Sequence, residues 1–402
     1  MKIAVIGGGA AGFFASISAA EQGNEVHLFE KTSKVLGKVK ISGGGRCNVT
    51  NETFNPVQLS KNYPRGERFL KKAFGKFNAT HTLEWFKERG VEIKAEADGR
   101  MFPVTNESQT IIDCLMEQAN INKVKVHYNS EVSKIIPQEN SIELIINNEV
   151  IVFDKVIVTI GGQPKKESFS WLEKLGHKIE SPVPSLFTFK INHKPLSKLM
   201  GLSVDNAKVR VVGEKKLQEE GPLLITHWGL SGPAILRTSA WGARLLSDRN
   251  YQFDILVSWY NKMSDQELRE FVQEKKIELK KKQIKNKNPF ELPQRLWDYL
   301  LERIEIPETK LWLDLSKKEL NKLVEVLLSD NYSVHGTTKF KEEFVTCGGV
   351  SLSDIDVKTM ESKKCSHLHF AGEVMDIDGI TGGFNFQAAW TTGFISGNSM
   401  KS

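Results

Sequence analysis

Apolar and polar positions fall into blocks along this chain, and the first block is the most regular. Residues 2–6 (KIAVI) and 25–30 (EVHLFE) are short apolar, β-branched runs, and Ala10–Gln22 between them is dense in small and apolar residues. That order predicts strand, helix, strand. Helical spacing recurs at Thr80–Arg89 and Ser108–Ala119, and strand patterns at Val124–Tyr128, Ser141–Asn147 and Val150–Thr159. Pro182 and Pro184 then predict an exit from a first domain.

From about residue 186 the character changes. Thr188–Asn192, Ala207–Gly213 and Gln252–Val257 are short alternating segments punctuated by Gly and Pro, which predicts a small β subdomain. Ser264 with Glu267 forms a capping box that opens a helix bearing Leu268, Phe271, Val272 and Leu279 on one face. Further helical patterns occupy Gln294–Ile304 and Lys317–Leu328. The last begins at a second capping box, Ser316 with Glu319, and sets Leu320, Leu323, Val324, Leu327 and Leu328 along one stripe. The expected organisation is a split domain, 1–185 and 346–402, interrupted by a β subdomain, 186–257 with 331–345, that carries a nested helical subdomain, 258–330.

Glycines turn the first block into chemistry. Gly7, Gly9 and Gly12 fill a G-x-G-x-x-G pattern between strand and helix, and Glu30 follows at the end of the second strand. The first glycine makes the tight turn, the second admits a pyrophosphate against backbone, and the third lets helix pack close to strand. The helix N-terminus supplies unpaired N–H groups to the phosphates, and Glu30 is placed to accept from ribose hydroxyls. This unit predicts a dinucleotide site. At the far end, His369–Glu373 reads as a buried strand, residues 376–383 as a glycine-rich turn, and Asn385–Gly397 as a small-residue helix. FAD proteins of the two-dinucleotide-binding type hold the ribityl chain with such a late motif, which NAD-only Rossmann enzymes do not need. The pair therefore points to FAD, in an α/β Rossmann-type domain.

A third segment, Ile41–Asn51 (ISGGGRCNVTN), sets three glycines before Arg46, Cys47 and Asn48. Such glycines let backbone lie against a flat ring, and Arg46 offers a rigid donor fork. With GGGAAG (7–12), SGGGRCN (42–48), GRMFP (99–103), THWGLSGP (226–233), TCGGVSLSDID (346–356) and the 370–390 block, the chain resembles the YhiN-like flavoproteins. These are bacterial proteins described as aminoacetone oxidases or as bile-acid ring reductases of the BaiN type. The resemblance covers nearly the whole length. Cys347 stands where alanine is more usual, and Phe384 and Phe386 replace tyrosine and leucine.

The residues and the resemblance together imply a cofactor set. Gly7, Gly9, Ala11 and Gly12 face the pyrophosphate, and Glu30 binds the adenosine ribose. Lys31 and Lys38 either neutralise phosphate or remain solvated. Gly44, Gly45, Arg46, Cys47 and Asn48 line the flavin, and Val132 contacts adenine through its backbone. Thr159 and Gly161 end a strand beside the cofactor. Gly372, Glu373, Gly383, Phe384 and Asn385 hold the ribityl and pyrimidine end. His227 as a proton carrier, Trp228 as a stacking surface and Arg100 as an anion clamp are the catalytic candidates; a structural turn and a surface ion pair are the alternatives.

Charge and cysteines narrow the picture little. The four cysteines lack C-x-x-C spacing, which argues against metal or disulfide frameworks, and Cys47 is either a reactive thiol or a packing residue. The net charge of +6 is matched by one segment, Lys275–Lys287, with seven lysines against one acid. No stretch is long and apolar enough to span a bilayer, so a soluble, cytoplasmic protein is expected. The first reading is an FAD-dependent oxidoreductase acting on a small organic substrate, with NAD(P)H or oxygen as redox partner and no nucleic acid or membrane involved. The alternative is a tRNA-modifying or RNA-binding flavoprotein that uses the lysine segment. Oligomeric state is not legible.

Overall fold

The computed structural model describes residues 1–337 and 345–401. Residues 338–344, inside the expected 331–345 return, and residue 402 lie outside the described residues. The chain forms two compact units, residues 1–185 with 340–402 and residues 186–339.

The first unit is built on a parallel sheet in the spatial order Leu368–Phe370, Lys155–Val158, Lys2–Ile6, Glu25–Phe29, Lys125–His127. Apolar, β-branched strands buried on both faces suit a parallel sheet. Its register aligns Ile6 with both Phe29 and Val158, and Val158 with Phe370. The loops beginning at Gly7, Glu30, Thr159 and Ala371 therefore all leave from one carboxyl edge, where open α/β sheets place their ligands. The α/β Rossmann expectation holds.

Helix Ala10–Ala20 packs against helix Phe384–Asn398 almost backbone to backbone. A Cβ on Gly393 would lie 2.8 Å from the Ala11 carbonyl oxygen, and one on Gly397 would lie 2.5 Å from that of Ala15. Phe14, Trp85, Phe86 and Trp390 close the core around this contact. The matched residues advance together along both helices, so the two run parallel. At 1.5 Å rise per residue, the second helix starts roughly 12 Å ahead of the first.

One expectation changes. Val150–Thr159 is not one strand: Glu149–Phe153 closes a three-stranded antiparallel sheet with Val132–Pro137 and Ile142–Ile146, whereas Lys155–Val158 joins the parallel sheet. The break is Asp154, whose carboxylate accepts from the Lys2 backbone N–H at 2.6 Å. Pro182 and Pro184, read as the exit from a first domain, lie just before the break at residue 185, inside strand Ile179–Pro184, which pairs with Thr346–Val350. Its register shifts between Glu180 and Val183, and a bulge of this kind tolerates proline.

The second unit carries a six-stranded antiparallel sheet in the order Phe189–Lys190, Gly229–Ser231, Gln218–Thr226, Ser203–Val211, Gln252–Ser258, Asp330–His335. Helices Asp265–Glu278, Gln294–Arg303 and Lys317–Ser329 share one apolar core with this sheet. Both capping boxes form: Ser264 and Ser316 each accept from the backbone of the glutamate three residues on. Helix Pro233–Asp248 and strand Gln218–Thr226 were not legible in the sequence pattern. Asp330 is buried and accepts from Trp259 Nε1 at 2.9 Å and Arg303 Nε at 2.6 Å, which ties sheet to helix.

The parallel helix contact should be intolerant of bulk. Gly397→Val is expected to cost about 1–3 kcal/mol by overpacking. Urea unfolding should show a lower midpoint with an unchanged slope.

Candidate cofactor site

The glycines of the first turn are required for different reasons. Gly7 has φ +111°, and a Cβ there would lie 2.6 Å from the Thr159 carbonyl oxygen. A Cβ on Gly12 would come within 1.9 Å of the Gly7 carbonyl oxygen. Gly9 differs: an added Cβ meets nothing within 4 Å. The turn is tight below and open above. The helix that follows has no side-chain cap and no acid in its first turn, so its leading N–H groups stay available to an anion.

Glu30 braces this turn. One carboxylate oxygen accepts from Gly8 N–H at 2.9 Å, and the other accepts from Thr32 N–H at 2.8 Å and Thr32 Oγ1 at 2.9 Å. Thr159 Oγ1 lies 2.9 Å from both the Ile6 and Gly7 carbonyl oxygens. Gly161, two residues on, has φ +74° and open space at its Cβ position.

In the second segment, the helix that begins at Gly37 breaks at Ser42, Gly43 and Gly44. Gly44 and Gly45 take positive φ, and a Cβ on either meets nothing within 4 Å. Arg46 lies 3.9 Å over the Phe102 ring and donates to Glu96 at 2.6 Å. Glu96 also accepts from Arg100 at 3.0 Å, and Asp98 accepts from Arg100 Nε at 2.7 Å. Arg100 is thus engaged by two carboxylates. Cys47 is wholly buried at φ +60°, and burial pushes its thiol up to about 12, so it is a packing residue and not a reactive thiol. Asn48 Oδ1 accepts from Met101 N–H at 3.3 Å.

The third segment is held by contacts that span most of the chain. A Cβ on Gly383 would lie 2.3 Å from the Thr50 carbonyl oxygen. Asn385 closes the glycine turn, accepting from Gly379 N–H and donating to Gly379 carbonyl, both at 2.9 Å. Tyr63 donates to the Phe384 carbonyl at 2.6 Å, and Gln387 Oε1 accepts from Thr50 and Thr82 at 2.6 and 2.9 Å. Arg65 grips the buried Asp378 from both sides of its carboxylate. The helix N-terminus at Phe384 is again uncapped by any side chain. Glu373 accepts from Thr346 N–H and from Lys38 Nζ, each at 2.7 Å, which joins the second and third segments.

Of the remaining candidates, Lys31 is exposed and Val132 is half-buried at the start of its strand. His227 and Trp228 form the turn between two strands of the second unit, with ring centroids 3.8 Å apart. Sequence reading did not single out Thr50, Asn51, Tyr63, Arg65, Thr82, Thr346, Asp378 or Gln387. None carries a local signal, because each acts through a partner distant in sequence.

Two uncapped helix N-termini at one sheet edge, staggered by roughly 12 Å, with glycine backbone open beside them, suit an elongated ligand carrying negative charge at two places. The model for the family described as "HI0933-like protein Rossmann domain" matches residues 1–399. The chain belongs to this family. It is an FAD-dependent oxidoreductase. Curated relatives of the HI0933-like chain include a ribosomal RNA dihydrouridine synthase of Escherichia coli K12, 30% identical over 96% of this chain and 95% of that protein. The corresponding protein of Haemophilus influenzae is 27% identical over 99% of this chain and 98% of its own. A 3-dehydro-bile acid delta(4,6)-reductase of Clostridium scindens is 26% identical, over 99% and 98%. Among solved structures, the 3-ketosteroid delta1-dehydrogenase of Sterolibacterium denitrificans aligns with a TM-score of 0.53 at 11% identity, covering 99% and 98% of the two chains. This likeness concerns the fold alone. Among the described residues, no helix is long and apolar enough to cross a membrane.

Two outcomes follow. Gly12→Val should force helix from strand, and the purified variant should lose its visible flavin absorbance. Native protein treated with iodoacetamide at pH 8 should leave Cys47 unmodified, whereas guanidinium-unfolded protein should be alkylated there; peptide mass spectrometry distinguishes the two.

Proposed function

We propose that this HI0933-like chain reduces the C5=C6 double bond of a uridine in RNA, with NAD(P)H as electron source. The observation that carries the reading is similarity along the full chain to two ribosomal RNA dihydrouridine synthases of different organisms. It favours the alternative read from the sequence, an RNA-modifying flavoprotein, over a small organic substrate. In uridine, C6 is conjugated through C5 to the C4 carbonyl, so a hydride adds at C6 and a proton at C5. Bound FAD supplies the two-electron relay between NAD(P)H and that double bond.

The chain's own residues bind and orient. The Gly7–Gly12 turn, with Gly9 and Ala11 at the helix start, would hold the pyrophosphate, Glu30 the adenosine ribose, and the Val132 backbone the adenine. Lys38 acts in its pair with Glu373, and Lys31 gives a solvated charge near the phosphates. Gly44, Gly45, Arg46, Cys47 and Asn48 would border the flavin, and Thr159 and Gly161 would line the same cofactor. Gly372, Glu373, Gly383, Phe384 and Asn385 support the ribityl and pyrimidine end, where the helix N-terminus favours negative charge. His227 delivers the proton to C5 and Trp228 stacks on the base. Arg100, already engaged by Glu96 and Asp98, orients Arg46 through the shared Glu96.

A second reading rests on the bile-acid relative. A 3-oxo ring with adjacent unsaturation presents the same conjugated double bond, so a small enone is chemically equivalent at the reacting atoms. Anaerobic protein should be bleached by NADH or NADPH and then mixed with ribosomal RNA that lacks the modification. Return of flavin colour with dihydrouridine found by mass spectrometry supports the RNA reading. Reoxidation by a 3-oxo-Δ4,6 steroid but not by RNA would favour the second, and neither reacting while oxygen yields peroxide would sink both. His227→Gln should slow reoxidation by substrate about 100-fold without changing the rate of bleaching.

A further inference from the structure

The seven lysines between Lys275 and Lys287 lie in the second unit, and hydrogen bonds tie their segment to it. Helix Asp265–Glu278 ends there, and the chain beyond it runs against residues 310–313. Ile284 N–H donates to the Lys310 carbonyl at 2.9 Å, Trp312 N–H to that of Lys282 at 3.0 Å, and Leu313 N–H to that of Lys280 at 3.3 Å. Two buried indoles reinforce the hold: Trp297 Nε1 donates to the Ile284 carbonyl at 3.0 Å and Trp312 Nε1 to that of Lys287 at 3.2 Å. Ile284 itself is fully buried. A solvated, fraying helix end would have none of these anchors.

The charges divide into two sets. Lys275 pairs with Glu278, Lys285 with Glu308, and Lys276 donates to the Leu315 carbonyl at 2.6 Å. Lys280, Lys281, Lys282 and Lys287 are exposed and make no ion pair among the described residues. Four like charges on a stretch of backbone anchored by these hydrogen bonds repel one another, and an anionic polymer laid across them relieves that repulsion. Lysine, a compact charge on a flexible stem, suits phosphate contact without base reading. No aromatic residue lies within the segment, so the ridge can position RNA but cannot read its sequence.

We propose that Lys280, Lys281, Lys282 and Lys287 form a docking ridge for the phosphate backbone of substrate RNA. The proposal rests on the RNA reading above and adds to it the surface that holds the polymer. RNA is favoured over a lipid surface because the apolar side chains exposed alongside, Ile277 and Leu313, are only two.

The test uses full-length flavin-loaded protein and a quadruple Lys→Gln variant at positions 280, 281, 282 and 287. Filter binding of deproteinised ribosomal RNA is followed across a KCl series. Wild type should weaken steeply with salt. The variant should lose about 3 from the log–log slope and bind about 100-fold or more weakly near 100 mM KCl. Unchanged flavin content and melting temperature establish that the variant is folded. Equal slopes for the two proteins would overturn the ridge, as would lysine-dependent binding to phosphatidylserine vesicles with no RNA binding. Dihydrouridine formation separates the two proposals. A lysine-dependent slope without product leaves the ridge standing and removes the uridine reading; product with equal slopes does the reverse.

Discussion

The first unit depends on the close parallel contact between helices Ala10–Ala20 and Phe384–Asn398. Glycine at 393 and 397 lets one backbone rest on the other, and that contact sets two helix N-termini at one sheet edge. The same helix reaches further. Trp390 Nε1 donates to the Val49 carbonyl at 2.9 Å, and Thr392 Oγ1 accepts from Gly372 N–H at 2.9 Å. The three glycine-bearing segments are thereby held by one element, and a cofactor that spans them finds its cradle already assembled.

Around that contact, carboxylates fix basic groups in place. Glu96 holds Arg46 and Arg100, Glu373 holds Lys38, and the buried Asp378 holds Arg65. Burial raises the Asp378 carboxyl and the Arg65 charge opposes it, so the pair survives only because each partner satisfies the other. Lys280, Lys281, Lys282 and Lys287 of the second unit follow the opposite rule. There, charge is displayed on rigid backbone without compensation, which suits a surface whose counter-charge arrives with a partner.

The limits of sequence reading are local and physical. The apolar run 150–159 looks like one strand because periodicity is blind to which sheet a residue joins; only Asp154, bound to the Lys2 N–H, divides it. Pro182 and Pro184 mark the exit from the first unit, but the strand that holds them was not legible, because a bulge admits proline there. Helix Pro233–Asp248 was hidden because polar and small residues interrupt its apolar stripe. In the site, glycines at fixed spacing were readable, since backbone geometry restricts those positions to glycine. Thr50, Tyr63 and Gln387 were not, since their meaning lies in partners more than 300 residues away.

By itself, the sequence determined the nucleotide turn, the late glycine motif, the capped helices and the cofactor class, all of which follow from short-range steric and hydrogen-bond rules. Tertiary structure alone decided that Cys47 is buried, that Arg100 shares Glu96 with Arg46, and that the lysine segment is pinned and not frayed. Burial, ion pairing and anchoring are properties of what surrounds a residue, and that environment exists only once distant segments have packed together.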